Sequence, residues 1–320
     1  MAFRMVWTEC EGKGRTPRLG QPKFFLHQPA AMRQPPGVLT LSNEEIQDHV
    51  QRALAEDLGS GDATTLATVP AGTTAEALMV AREPLVAAGL PLACAAFTLV
   101  AEGVVCDLEA RDGQHVPGGQ PLMRVTGPAR ALLSAERVAL NFVQRLSGIA
   151  SLTARFVAAV EGLRARILDT RKTTPGWRRL EKYAVACGGG QNHRLGLFDL
   201  ILIKDNHLAA LAGAHPNPVA AAVARARERS PELRVEVEAD TLEQVSQALA
   251  AGADMILLDN MGLDDLRAAV RLAAGRASLE ASGGVTLETV RAIAETGVDF
   301  ISVGALTHSA RAMDIALDFA

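Results

Sequence analysis

Apolar and polar positions change their period twice along this chain, dividing it into three stretches. Residues 1–41 hold no sustained period and are rich in Gly, Pro, Gln and basic residues, the composition of a disordered tail. Met1 and Met32 both qualify as its starting residue. Order is expected from Ser42, a good helix cap, followed by NEEIQDHVQRALAEDL. There Ile46, Val50, Leu54 and Leu58 recur every four residues and make one apolar face. From Ala75 to Val125 the pattern shortens to strands and turns, with one helical stretch near 90–102. The piece DGQHVPGGQPLMRVTG reads as a hairpin with turn glycines at Gly113, Gly118 and Gly119. A lysine-bearing carrier turn is excluded, because no lysine stands there.

Ser134 is expected to open a long helix, SAERVALNFVQRLSGIASLTARFVAAVEGL, after which strands and helices alternate. Strands are predicted at Arg166–Asp169, Leu200–Lys204, Arg234–Glu238, Met255–Asp259, Ser278–Ser282 and Asp299–Val303. Helical patterns at Thr241–Ala251, Asp264–Ala274 and Leu287–Thr296 separate the later ones. Such alternation predicts a parallel sheet, either an irregular barrel or an open doubly wound sheet. The strand ends favour the barrel. Thr170 and Arg171, Lys204, Glu238, Asp259, Ser282 and Gly304 each follow or close an apolar run, and the carboxyl ends of barrel strands carry active sites. Residues 42–148 are therefore expected to form an α/β sandwich domain and residues 149–308 an α/β barrel.

Composition narrows the function. The net charge of −4 and the 4% aromatic content count against a nucleic-acid binder. Cys10, Cys94, Cys106 and Cys187 are scattered without a CxxC pair, which suits free thiols in the cytoplasm. No apolar run is long enough to cross a membrane. Against this anionic background, Asp169–His207 stands out. It gathers Arg171, Lys172, Arg178, Arg179, Lys182, His193, Arg194 and Lys204 beside buried strands, where unpaired charge is costly. Arginine offers a fork for carboxylates and lysine a point charge for phosphates, so a small, strongly anionic ligand is expected. Arg178, Arg179 and Lys182 fall on a helix and are expected to face solvent.

Glu236 and Glu238 lie two apart on one strand and point the same way. Glu238 and Asp259 are expected to face each other across the barrel mouth, suited to ribose hydroxyls or Mg²⁺. Glu236 and Glu280 are read as balancing buried lysines. Ser282-Gly283-Gly284 and Val303-Gly304-Ala305 each follow a strand and precede a helix, the arrangement of a phosphate cradle. Neither GxGxxG nor a Walker loop is present, and His193, His207 and His308 lack metal-ligand spacing. His207 and His308 read as satisfied polar residues. Cations for several anions, carboxylates for hydroxyls and glycine turns for phosphate suit group transfer from a sugar phosphate.

At this point several motifs coincide. EDLGSGDATT (Glu56–Thr65), ERVALNFVQRLSGIAS (Glu136–Ser151), the basic segment, VEVE, LLDN, EASGG and SVGALTHS together resemble the quinolinate phosphoribosyltransferase family. The resemblance covers nearly everything after Ser42. It implies that quinolinate and phosphoribosyl pyrophosphate give nicotinate mononucleotide, pyrophosphate and CO₂, with Mg²⁺. It further implies that Arg137, Arg171, His193, Arg194 and Lys204 surround the pyridine dicarboxylate, with Thr170 and Lys172 in the same loop. Glu238 and Asp259 correspond to the acidic pair at the ribose and metal, with Mg²⁺ held mainly through substrate phosphates. Lys172, Glu238 and Asp259 are the catalytic candidates. Ser282, Gly283, Gly284, Val303, Gly304 and Ala305 correspond to the 5′-phosphate turns. The implied fold is a sandwich domain on an irregular, incomplete α/β barrel. A last helix at 309–320 is expected to return to the sandwich domain. A homodimer with a shared site is implied, Arg137 coming from the partner, and dimer versus hexamer stays open.

Overall fold

A computed structural model describes residues 39–320. The expected tail lies outside the described residues up to position 38. Leu41, by contrast, packs against the core, and the Thr40 carbonyl accepts a hydrogen bond from Arg179.

Helix α1 (Asn43–Leu58) starts where the sequence places it. Ser42 and Glu45 close a reciprocal capping box, and Gly59 ends the helix at φ 50°. Asp62 caps the short α2 (Ala63–Thr68). Next come β1 (Thr74–Ala81), β2 (Leu85–Val86), α3 (Leu90–Val100), β3 (Val105–Leu108), β4 (His115–Val116) and β5 (Pro121–Pro128). The segment read as a hairpin does not fold as one. β4 pairs with β2, whereas β5 lies between β1 and β3 in another sheet. Gly113 and Gly119 do take the positive φ that tight turns require (85° and 82°).

Helix α4 (Ala129–Ala159) begins before the expected Ser134. That residue sits inside the helix, and its hydroxyl donates to Asp62. The apolar stripe of α4, including Leu132, Phe142, Leu146 and Ile149, is wholly or almost wholly buried. Gly148 exists on it for space, since a Cβ there would fall 1.8 Å from the Arg311 carbonyl.

The remaining elements alternate: β6 (Arg166–Leu168), α5 (Arg178–Cys187), β7 (Ile201–Ile203), α6 (Asp205–Ala209), α7 (Pro218–Arg229), β8 (Val235–Ala239), α8 (Leu242–Ala251), β9 (Met255–Asp259), α9 (Leu263–Ala273), β10 (Ser278–Ser282), α10 (Val290–Ala294), β11 (Phe300–Ser302) and α11 (Ala305–His308). All six predicted strands are present and pair in parallel in the order β6-β11-β10-β9-β8-β7. This is a barrel's sequential order, with no hydrogen-bonded pairing of β6 to β7 among the described residues. At that gap Gln191 forms a parallel bridge to Leu168.

The chain ends differently from expectation. Residues 309–320 contain no helix; Ile315–Phe319 is a strand, β12, antiparallel to β1 at the edge of the sheet ordered β12-β1-β5-β3. Its apolar residues Ile315 and Leu317 alternate with exposed or half-buried ones, a period of two that suits a sheet edge.

Candidate active site

In a parallel sheet every strand delivers its last residue to the same edge, and here those residues are the polar positions singled out from the sequence. β6 leads into Asp169, Thr170, Arg171 and Lys172, while β7 leads into Lys204. β8 carries Glu238, β9 ends in Asp259, β10 ends in Ser282, and β11 leads into Val303 and Gly304.

Lys204 Nζ lies 2.6 Å from Glu238 Oε2, joining neighbouring strand ends in an ion pair. Glu238 and Asp259 do not face each other across the mouth. They lie on adjacent hydrogen-bonded strands, Glu238 opposite Leu257 and Asp259 two residues further on. Asp259 accepts a hydrogen bond from the Asn260 side chain at 2.7 Å. Asn260 was not singled out from the sequence, although LLDN contains it. It holds the uncommon φ of 53°, its N–H donates to the Ser282 carbonyl, and its side chain fills the space that a Gly283 Cβ would need. The acidic strand end and the first glycine turn are thereby one structure.

The second glycine turn is joined to the basic loop in the same way. A Cβ on Gly304 would fall 3.1 Å from Lys172 Cδ, so the lysine stem lies across the turn. Thr307 Oγ1 donates to the Lys172 carbonyl at 2.7 Å, and Lys172 N–H donates to Thr170 Oγ1. Buried Glu181 accepts from both the N–H and the hydroxyl of Thr174, and Arg145 lies 3.5 Å from Oε1, the oxygen that takes the hydroxyl. These two residues hold the basic loop and carried no recognisable signal, since each is an ordinary helical charge in sequence. The Gly188–Gly190 run serves packing on α4: a Cβ on Gly188 would fall 2.3 Å from the Ala150 carbonyl.

The helical cations of the basic segment do not face solvent as expected. Lys182 is fully buried with its Nζ 2.5 Å from Asp169, and it also donates to the His193 carbonyl. Burial pushes the Asp169 pKa up and the Lys182 pKa down, and the attraction between them opposes both shifts. Asp169 completes its shell with Asn192 Nδ2 and His193 N–H. Arg178 donates to the Leu195 carbonyl and Thr173 Oγ1, and Arg179 pairs with Glu45. Helix α5 thus buries Lys182, while half-buried Arg178 and Arg179 fasten the neighbouring loops and helix α1.

Glu236 and Glu280 likewise depart from expectation. They are 0% and 1% exposed, and the cation they meet is a histidine, not lysine. His193 Nε2 lies 3.0 Å from Glu236 Oε2 and 3.2 Å from Glu280 Oε2. Burial disfavours charge on His193, but the two carboxylates override it and raise its pKa to about 10. Burial raises the Glu236 pKa as well, with Glu280 adding to the effect. His193 Nδ1 accepts the Arg194 N–H at 2.8 Å. His193 Nε2 and the Glu236 and Glu280 oxygens facing it are close enough for an ion pair but are buried without a hydrogen-bond partner.

Arg171 and Arg194 are both half-buried, and the Nε of Arg171 is buried without a hydrogen-bond partner. Burial, with the charge of Arg171 adding to it, lowers the Arg194 pKa. Two arginines close enough to repel, one with an unused buried donor, make an arrangement that could receive anionic oxygen. Arg137 stands apart, exposed on α4 without a hydrogen bond or ion pair among the described residues. The imidazole of His207 accepts the Lys204 N–H and His308 contacts Ser309, so both are satisfied polar residues.

Comparison with known proteins accounts for both parts of the chain. Residues 62–147 match the family model described as quinolinate phosphoribosyl transferase, N-terminal domain, and residues 149–318 match its C-terminal domain. Among curated relatives, the nicotinate-nucleotide pyrophosphorylase [carboxylating] of Mycobacterium leprae is 49% identical over 278 residues, covering 85% of this chain and 96% of its own. The probable enzyme of that name from Bacillus subtilis is 44% identical, covering 82% and 89% respectively. The solved nicotinate-nucleotide pyrophosphorylase of Francisella tularensis superposes with a TM-score of 0.83 at 37% identity, covering 90% of this chain and all of its own.

Proposed function

The chain belongs to the quinolinate phosphoribosyltransferase family, and on that premise we propose that it converts quinolinate and phosphoribosyl pyrophosphate to nicotinate mononucleotide, pyrophosphate and CO₂. It is a pentosyltransferase of pyridine nucleotide and NAD biosynthesis. The observation that carries the site assignment is the convergence, on one sheet edge, of the arginine pocket, the Lys204–Glu238 pair, Asp259 and two glycine turns.

Each group has work suited to its surroundings. Arg171 and Arg194, with Lys204, take the two carboxylates of the pyridine, because forked donors match carboxylate oxygens. The turns at Ser282–Gly284 and Val303–Ala305 take the 5′-phosphate, and Lys172, lying over the second turn, adds positive charge there. Departure of pyrophosphate leaves cationic character on the ribose, as in glycosyl transfer through an oxocarbenium-like state. Glu238 and Asp259 stabilise that charge and orient the ribose hydroxyls. The ring nitrogen bonds to the ribose; the adjacent carboxylate then leaves as CO₂, its bonding electrons staying on the cationic ring, which takes up a proton. No strong general base is demanded.

Asp259 and Glu238 are hard oxygen donors at adjacent strand ends, and Asp259 has only a side-chain amide beside it, so this donor set fits Mg²⁺ shared with substrate phosphates. When bound, Mg²⁺ would neutralise the leaving pyrophosphate. We also read the protein as a homodimer sharing this site and as cytoplasmic. The unpaired, exposed Arg137 supports the first, and the free thiols at Cys94, Cys106 and Cys187 fit the second. No helix of the described residues is long and apolar enough to cross a membrane.

Incubation with quinolinate, phosphoribosyl pyrophosphate and Mg²⁺ should yield nicotinate mononucleotide and CO₂ in equal amounts. Absence of both would refute the reading, and turnover of nicotinate in place of quinolinate would point to a different acid.

A further inference from the structure

Asp259 differs from its neighbour Glu238 in what holds it. Glu238 is paired with Lys204, whereas the one side-chain hydrogen bond to the Asp259 carboxylate among the described residues is the 2.7 Å bond from Asn260 Nδ2. An amide orients a carboxylate without cancelling its charge, which suits a group that must face a developing cation. Asn260 is itself held on two sides. Its N–H donates to the Ser282 carbonyl at 2.9 Å, carrying the pairing of β9 with β10 one residue past the Asp259–Ser282 pair. Its amide oxygen lies against Gly283, where a Cβ would overlap it. Gly283 also has a φ of 98°, so conformation as well as space reserves that position for glycine.

Asn260 is exposed, and its backbone at φ 53° is the left-handed conformation that asparagine tolerates better than most residues. Glycine would meet that backbone demand equally well. What glycine could not supply is the amide that touches both Asp259 and Gly283.

We propose that Asn260 is a positioning residue: its side-chain amide, braced against the first glycine turn, holds the Asp259 carboxylate in register with that turn and so fixes the spacing between the groups for the ribose hydroxyls and those for the 5′-phosphate. In phosphoribosyl pyrophosphate a short covalent link joins that phosphate to the ribose, so the two receiving groups gain from acting together only if their separation is preset. The strand pairing presets it for the backbone. The Asp259 side chain could still rotate, and the Asn260 bond removes that freedom. Asn260 thus acts through Asp259 and touches no substrate. The inference rests on the substrate reading above.

Calorimetric binding of phosphoribosyl pyrophosphate with Mg²⁺, and of quinolinate separately, tests it on the full chain. Asn260→Gly keeps the left-handed backbone and deletes the amide. It should weaken phosphoribosyl pyrophosphate binding about tenfold, the order of one hydrogen bond to a charged group, and leave quinolinate binding unchanged. Asn260→Asp, which also tolerates this backbone, sets a second carboxylate against Asp259 and should lose at least as much; it carries the same measurements if Asn260→Gly does not fold. In kcat/KM for phosphoribosyl pyrophosphate, adding Asn260→Gly to Asp259→Asn should cost nothing further, because residues acting in series are non-additive. Additive losses would overturn the proposal by making Asn260 a direct substrate contact. Unchanged phosphoribosyl pyrophosphate affinity in Asn260→Gly would overturn it by leaving Asn260 a backbone role alone. An equal fall in both affinities would overturn it by showing a general structural defect. Failure of the wild-type chain to bind phosphoribosyl pyrophosphate would instead refute the functional reading, and this inference with it.

Discussion

Lys182 and Asp169 form an ion pair with no exposure on either side chain, at the point where β6 gives way to the basic loop. In sequence Lys182 is one more cation on an amphipathic helix, and nothing local distinguishes it from a solvated one. Only packing of α5 against the sheet turns it inward. Lys182→Met would leave the Asp169 carboxylate buried without its cation, and such losses cost about 3–5 kcal/mol. The urea midpoint should fall accordingly; an unchanged midpoint would show that Asn192 and His193 suffice to hold Asp169. His193 teaches the same lesson. Its place in the basic segment was legible, but its engagement with two glutamates from distant strands was not. Asn260 shows a different gap: its left-handed backbone and its fit against Gly283 depend on a neighbouring strand that local sequence does not specify.

Elements with a strong period were the most legible. All six parallel strands lie where alternation predicts them, with Met255–Asp259 and Ser278–Ser282 matching at both ends. Elements failed where local pattern competes with partner choice. The hairpin signal around Gly113–Gly119 was good turn chemistry, yet β4 and β5 join different sheets. The C-terminal stretch became a strand because β1 offered a free edge to pair with. At this scale α1 and α5 are joined by Glu45 and Arg179. The hydrogen bond from Arg179, and then the backbone at Ser42, lower the Glu45 pKa to about 2. A depressed carboxylate pKa stabilises the fold above the unfolded value near 4.5 and loses that contribution as pH falls toward 2. Because both side chains are about a third exposed, solvent screens the pair, and under about 1 kcal/mol is expected. Glu45→Gln should therefore lower the denaturant midpoint slightly at pH 7 and leave it unchanged near pH 2. An equal loss at both pH values would assign the effect to packing.

At the scale of the whole molecule, Arg137 is exposed on α4 with no polar partner in its own described chain, while Arg171 and Arg194 lie near the carboxyl edge of the parallel sheet. Leu197 and Phe198, 73% and 74% exposed, flank the loop that carries Arg194, an apolar feature suited to a partner's surface. On the proposed homodimer with a shared site, mixing an Arg137→Ala chain with a Lys204→Ala chain should restore part of the activity that each has lost, because one of the two sites would regain both residues. Verified heterodimers without recovery would place Arg137 outside the site.

By itself the sequence determined the alternation of strand and helix, the residues that close each strand, and the anionic character of the ligand. These follow from local periodicity and side-chain chemistry, which neighbours in sequence suffice to encode. Tertiary structure decided which charges serve the ligand and which serve the fold. Arg171 keeps a buried donor without a partner; Lys182 and Glu181 are used up in fastening the loop, and Glu236 and Glu280 flank His193. A charge's role depends on how much water it has lost and which opposite charge it meets, and both are set by residues far away in the chain.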